Sequence, residues 1–161
     1  MYHLVRTTAL ISAMATAALA APKVASVEVE ADLSAVETYE AAKVWAGLDT
    51  DLETEIAKLL VSDIAPEGED GAEVKIDIDE IALANNFETD LGIGEWALSG
   101  DVDINTPDPS KAQHYTLTVT SDQTDIYYPE GVDPAKVTPD NEFFYHAMVA
   151  AFANNVASKL K

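Results

Sequence analysis

The chain has 161 residues and sets 29 acidic side chains against nine basic ones, a net charge of −20, with no cysteine. Its lysines are scattered singly, so no basic patch offsets the repulsion that nucleic acid and anionic membrane surfaces would feel. The missing thiol excludes a disulfide, a cysteine nucleophile and a thiol-acylated lipoprotein anchor, while 48% apolar residues in clear periodicity exclude a disordered polyelectrolyte.

The first 20 residues read as a signal peptide. Arg6 is the only charge in a short leading region, the run from Thr7 to Leu19 is small and apolar but too short for a bilayer span, and Ala18-Leu19-Ala20 supplies the small-x-small cleavage pattern. Cleavage after Ala20 leaves a single globular domain over residues 21–161 with no membrane span, exported to the periplasm or secreted. Arg6 leaves with the leader, so the mature chain has eight lysines and no arginine.

The first predicted element is a strand over residues 23–33, where Val27, Val29 and Ala31 alternate with Glu28, Glu30 and Asp32. Residues 34–48 stay open between helix and loop: Ser34 and Glu37 form a capping box, but Gly47 and short apolar spacing oppose a helix. A second box from Thr50 to Glu53, followed by Leu52, Ile56, Leu59 and Leu60 at helical spacing, predicts a helix over 51–63 that Pro66 and the EGEDG turn end.

Three strands then follow as a meander. Residues 72–83 put Val74, Ile76 and Ile78 inward, and Glu73, Lys75, Asp77 and Asp79 outward. After the NNFETDLGIG loop, EWALSGDVDI turns Trp96, Leu98, Val102 and Ile104 inward, and Glu95, Ser99, Asp101 and Asp103 outward. HYTLTVTSD sets Tyr115, Leu117 and Val119 against His114, Thr116, Thr118 and Thr120. A final helix, capped by Thr138 with Pro139 as its first residue, carries Phe144, Met148, Phe152, Val156 and Leu160 in steps of four beside Tyr145 and Val149. Every stripe is satisfied by an α+β two-layer sandwich: a four-stranded, mainly antiparallel sheet in the order β-α-β-β-β-α, with two helices on one face.

Chemistry is sparse on this scaffold. GDVDIN, residues 100–105, opens like a calcium loop, but counting from Asp101 puts Thr106 where the turn glycine belongs and Ala112 where the bidentate carboxylate belongs. Spacing of two is also what a strand with one wet face produces. There is no Gly-x-Ser-x-Gly elbow and no His-Glu-x-x-His pair, GIG at Gly92 to Gly94 lacks a following helix, and His114 and His146 stand apart from any nucleophile. Asp77 with Asp79 as a glycosidase pair is close to chance in so acidic a chain, and an open sheet face offers no cleft. Trp45 and Trp96 sit in apolar patterns and read as core.

What remains is the uncovered face, to which Glu28, Glu30, Asp77, Asp79, Asp101 and Asp103 all point. Such a face is either simply solvated, or a docking surface for a basic protein of the cell envelope, or a low-affinity divalent-cation binder. The element order, from Val24 to Leu160, resembles the small periplasmic α/β modules of lipopolysaccharide-transport and Tol-type envelope proteins. That resemblance implies a binding or assembly role; no residue motif carries it, and the lipoprotein cysteine common among those modules is missing. The sequence therefore favours a non-enzymatic interaction module with no cofactor and no resident metal. The alternative is a small hydrolase or carbohydrate-binding protein, whose concave site would lie near Asn85 to Gly94 and Asp125 to Asp140.

Overall fold

The computed structural model describes residues 22–33, 42–82 and 96–161. The leader, the Ser34–Glu37 capping box, the loop with Gly92 to Gly94, and Glu95 lie outside the described residues. Four strands, β1 (Val24–Ala31), β2 (Ala72–Ala82), β3 (Ala97–Asn105) and β4 (Gln113–Thr120), form one sheet in sequential order. Helices α1 (Ala42–Trp45) and α2 (Leu48–Leu59) connect β1 to β2, and α3 (Glu142–Ser158) closes the chain. This is the expected α+β sandwich with one difference. β2, β3 and β4 pair antiparallel, but β1 pairs parallel to β2. Alternation reports which face of a strand is wet and not its direction; the α1–α2 crossover, which a parallel neighbour requires, sets the direction here.

Helix boundaries also depart from the capping signals. α2 begins at Leu48, so Thr50 lies inside the helix and Gly47 takes the cap position with no side-chain bond. Leu48 is fully buried and stands four residues before buried Leu52, so apolar burial extends the helix past its best capping residue. α2 ends at Leu59; the chain then bends so that the Asp63 carbonyl accepts from the Val24 N–H and the Ala65 N–H donates to the Val24 carbonyl on β1. α3 begins at Glu142, capped by Asn141, whose side chain accepts from the Phe143 N–H at 2.8 Å. Pro139 stays outside that helix, and its carbonyl accepts from the Trp45 indole Nε1–H at 2.9 Å.

The two long helices cover one face, α2 over β1 and α3 against α2, β3 and β4. All seven apolar residues of the predicted final stripe are buried, and so are Ala147, Ala151, Ala153 and Ala157. α3 is thus enclosed on most sides, the centre of the helical layer rather than a lid upon it. From the strands it meets Val74, Ile76, Ile78, Leu98, Val102, Ile104, Leu117 and Val119 in one continuous core. Trp45, fully buried, sits edge-on to Tyr145 at 5.2 Å between ring centres, and the Tyr145 hydroxyl donates to Asp51 Oδ2 at 2.5 Å, tying α3 to α2. Burial first, and the Asp51 contact second, push the Tyr145 phenol well above its ordinary pKa.

One irregularity positions the acidic face. Asp77 pairs with Asp101 and Glu80 with Ser99, so Ile78 and Asp79 together oppose Gly100 in a bulge. The extra residue shifts the inward phase, and Ile81 is buried beyond it. Gly100 allows the close approach: a Cβ there would lie 2.5 Å from the Asp77 carbonyl oxygen and 2.9 Å from Ile78 Cδ1.

Candidate functional site

The six carboxylates singled out from the sequence do share the uncovered face, where Glu28, Glu30, Asp77 and Asp79 are exposed and Asp101 and Asp103 partly so. Strand register sorts them into two cross-strand rows. One row runs Glu28, Lys75, Asp103, His114 and alternates carboxylates with nitrogen-bearing side chains. Lys75 Nζ lies 3.5 Å from Glu28, and His114 Nδ1 lies 2.7 Å from Asp103 Oδ1. The neighbouring row runs Glu30, Asp77, Asp101, Thr116 and places three carboxylates side by side with no cation among them. Among the described residues only the third of these carboxylates has a hydrogen-bond partner: the Thr116 hydroxyl donates to Asp101 Oδ1 at 2.6 Å.

The six carboxylates are thus not equivalent. Glu28 and Asp103 have partners that alternation along single strands does not reveal, because those partners come from neighbouring strands. Repulsion concentrates instead around Asp77 and the bulge. Asp79 is held above its ordinary pKa, first by lost hydration and then by the charges of Asp77 and Asp101. Between the rows, Glu28, Glu30, Lys75, Asp77 and Asp103 outline a shallow depression of about 260 Å³.

The calcium-like segment lies within β3, and the next carboxylate along the chain, Asp108, serves a local turn. Asp108 caps the 3-10 turn Pro109–Lys111, accepting from the Ser110 N–H at 3.1 Å and the Ser110 hydroxyl at 2.7 Å, bonds that hold its carboxyl below the ordinary value. Among the described residues no group of three or more His, Asp or Glu side chains is arranged to hold a metal ion. His146 is exposed on α3 beside the Tyr145 ring, away from His114.

A second concavity, of about 430 Å³, opens along the Asp125 to Asp140 segment, with Trp96 and Tyr128 on its wall. Trp96 is half-buried and edge-on to Phe144 at 5.0 Å between ring centres, so of the two tryptophans only Trp45 is wholly core. Asp122, Asp125 and Asp133 also line this hollow. Asp122 accepts from the Thr120 hydroxyl; Asp133 accepts from the Ala135 N–H at 3.2 Å and pairs with Lys136 at 2.8 Å. Two of the three carboxylates thus serve local turns.

No protein-family model matches the chain, and no curated protein matches it in sequence. Among the described residues no helix is long and apolar enough to cross a membrane.

Proposed function

We propose that the protein is a non-enzymatic interaction module of the cell envelope whose open sheet face receives a basic surface of a partner protein. The observation that carries this reading is the row of Glu30, Asp77 and Asp101 across three strands, which holds no cation, with Asp79 beside it. A cationic partner would remove the like-charge cost that this row imposes on the free protein, so binding and relief of repulsion act in the same direction. The depression between the rows is shallow, which suits protein contact better than enclosure of a small substrate. The experiment is capture from an envelope extract by the immobilised protein, compared with a Glu30→Gln, Asp77→Asn, Asp101→Asn variant at low and high salt. Capture of basic proteins that salt and the triple variant both abolish supports the reading. Capture indifferent to both would overturn it.

A second reading rests on the hollow walled by Trp96 and Tyr128, since aromatic walls with nearby carboxylates also suit carbohydrate binding. Titration with oligosaccharides, followed by tryptophan fluorescence, tests it: a saturable change lost in Trp96→Ala would favour the hollow over the sheet face.

A further inference from the structure

The two edges of the sheet are finished in opposite ways. At the β1 edge, the Asp32 N–H bonds to the Ile78 carbonyl, so the even-numbered residues face β2 and Val27, Val29 and Ala31 turn their backbone groups outward. This edge is closed by several devices. Glu53 of α2 accepts from the Val29 N–H at 3.0 Å, Asp63 and Ala65 occupy Val24, the register breaks between Val24 and Ser26, and Glu28 and Glu30 charge the strand.

At the β4 edge, the Ser121 N–H bonds to the Trp96 carbonyl, which sets the phase of the ladder: residues 113, 115, 117 and 119 bond β3, while His114, Thr116, Thr118 and Thr120 turn outward. Only the Thr120 N–H is taken, by Gln123 Oε1 at 3.2 Å. The outward backbone groups of His114, Thr116 and Thr118 have no partner among the described residues. QHYTLTVT contains no Asp, Glu, Lys or Pro, and its pairing with β3 has no bulge. Every other strand carries at least two carboxylates. Behind β4, the β3 carboxylates nearest to it are occupied by His114 and Thr116.

We infer that β4 is a self-association edge on which a second copy of this chain pairs antiparallel, joining two sheets into one of twice the width. This does not depend on the acidic face having a partner. The charges flanking β4 point to the occupant. Its leading end has Lys111 two residues before it, on the turn that Asp108 caps, and Lys159 over the Tyr115 ring at 5.6 Å; its trailing end runs into Asp122 and Asp125. Antiparallel pairing about a two-fold axis brings the two lysines at the leading end of each strand toward Asp122 and Asp125 of the other, so the complementarity is used twice. With the axis at Thr116, that residue meets its own copy, His114 meets the partner's Thr118, and Lys111 comes beside the partner's Asp122. The three outward residues of each strand then exchange about six backbone hydrogen bonds, and threonines pair across the junction.

A single strand edge is a small interface, and each copy carries −20, so the dimer is weak and strengthens with salt as general repulsion is screened. Sedimentation equilibrium on the full chain tests this, over increasing protein concentration at about 0.02 M and about 0.5 M sodium chloride. A monomer–dimer equilibrium favoured by salt is expected. Thr116→Pro, which removes a donor unused within the monomer, should abolish it while the melting curve still shows a folded chain. Thr116→Lys and Thr116→Glu guard against misfolding of the proline variant. Each alone should dimerise up to about fivefold more weakly than the unaltered chain, because like charges meet at the axis, and an equimolar mixture of the two should recover. A chain that stays monomeric at high concentration and high salt would overturn the inference, as would a dimer that these variants leave intact or a mixture no tighter than either variant alone.

Discussion

The two faces of the sheet are built from alternate residues of the same strands, yet they respond to different physics. On the covered face Ile76, Leu98, Val102 and Val119 meet α2 and α3 in a core where each large side chain is held by many others. On the open face Lys75, Asp101 and His114 each meet a single exposed neighbour, and surface ion pairs of that kind are worth about 0–1 kcal/mol. Stability therefore lives on one face, which leaves the other free to be shaped by recognition. Substitutions that leave the backbone alone should separate the two.

The largest effect belongs to the covered side. Phe152→Ala should cost about 3–5 kcal/mol in denaturant melts, because Phe152 is fully buried in α3 and its removal leaves a cavity that enclosed neighbours cannot fill. A loss below about 1 kcal/mol would mean that the helical layer yields easily, and the contrast between faces would weaken. Gly100→Ala should cost about 1–3 kcal/mol, since the new Cβ meets backbone at the bulge and the backbone must shift to admit it.

Effects on the open face should be smaller and of opposite sign. Asp77→Asn with Asp79→Asn should raise the melting temperature slightly, because it relieves repulsion at positions with no hydrogen-bond or ion-pair partner among the described residues. Asp101→Asn with Asp103→Asn should be neutral or slightly worse, since those carboxylates accept from Thr116 and pair with His114. A larger gain from the second pair would show that repulsion is centred elsewhere. Asp79 adds a pH signature. Its folded pKa is raised, so the folded state holds the proton more tightly than the unfolded one, and this contribution to stability grows as pH falls through the folded value and fades as pH rises. The double Asn variant should lose that part of the acid-side gain. Smallest of all should be the difference between calcium and sodium at matched ionic strength: both screen the acidic rows and should raise the melting temperature alike. A calcium-specific rise abolished by Asp101→Asn with Asp103→Asn would assign the face a cation site instead.

Much of the fold was legible because its signals are local. Alternation placed all four strands, and the step of four from Phe144 to Leu160 placed α3. Three features were not legible for physical reasons. The direction of β1 depends on where the α1–α2 crossover delivers the chain. The burial of Ala147, Ala151, Ala153 and Ala157 depends on neighbours that approach closely, and alanine itself announces neither face. The sorting of carboxylates into a row that includes Lys75 and a row with no cation depends on cross-strand register, including a bulge at Ile78 and Asp79 that alternation alone passes over. Gly100 was the available clue, a glycine within a strand pattern.

The parallel pairing of β1 with β2 also orders assembly in time. β2, β3 and β4 pair with their neighbours in sequence and can close by comparatively local contacts, whereas Val24 must wait for Ala72, about fifty residues later, before its ladder exists. On a chain emerging from its N-terminus, β1 is made first and completed late. Glu28 and Glu30, which border the acidic field in the finished protein, sit on the strand that spends longest without a partner, and there their charge keeps an unpaired edge from capturing the wrong neighbour.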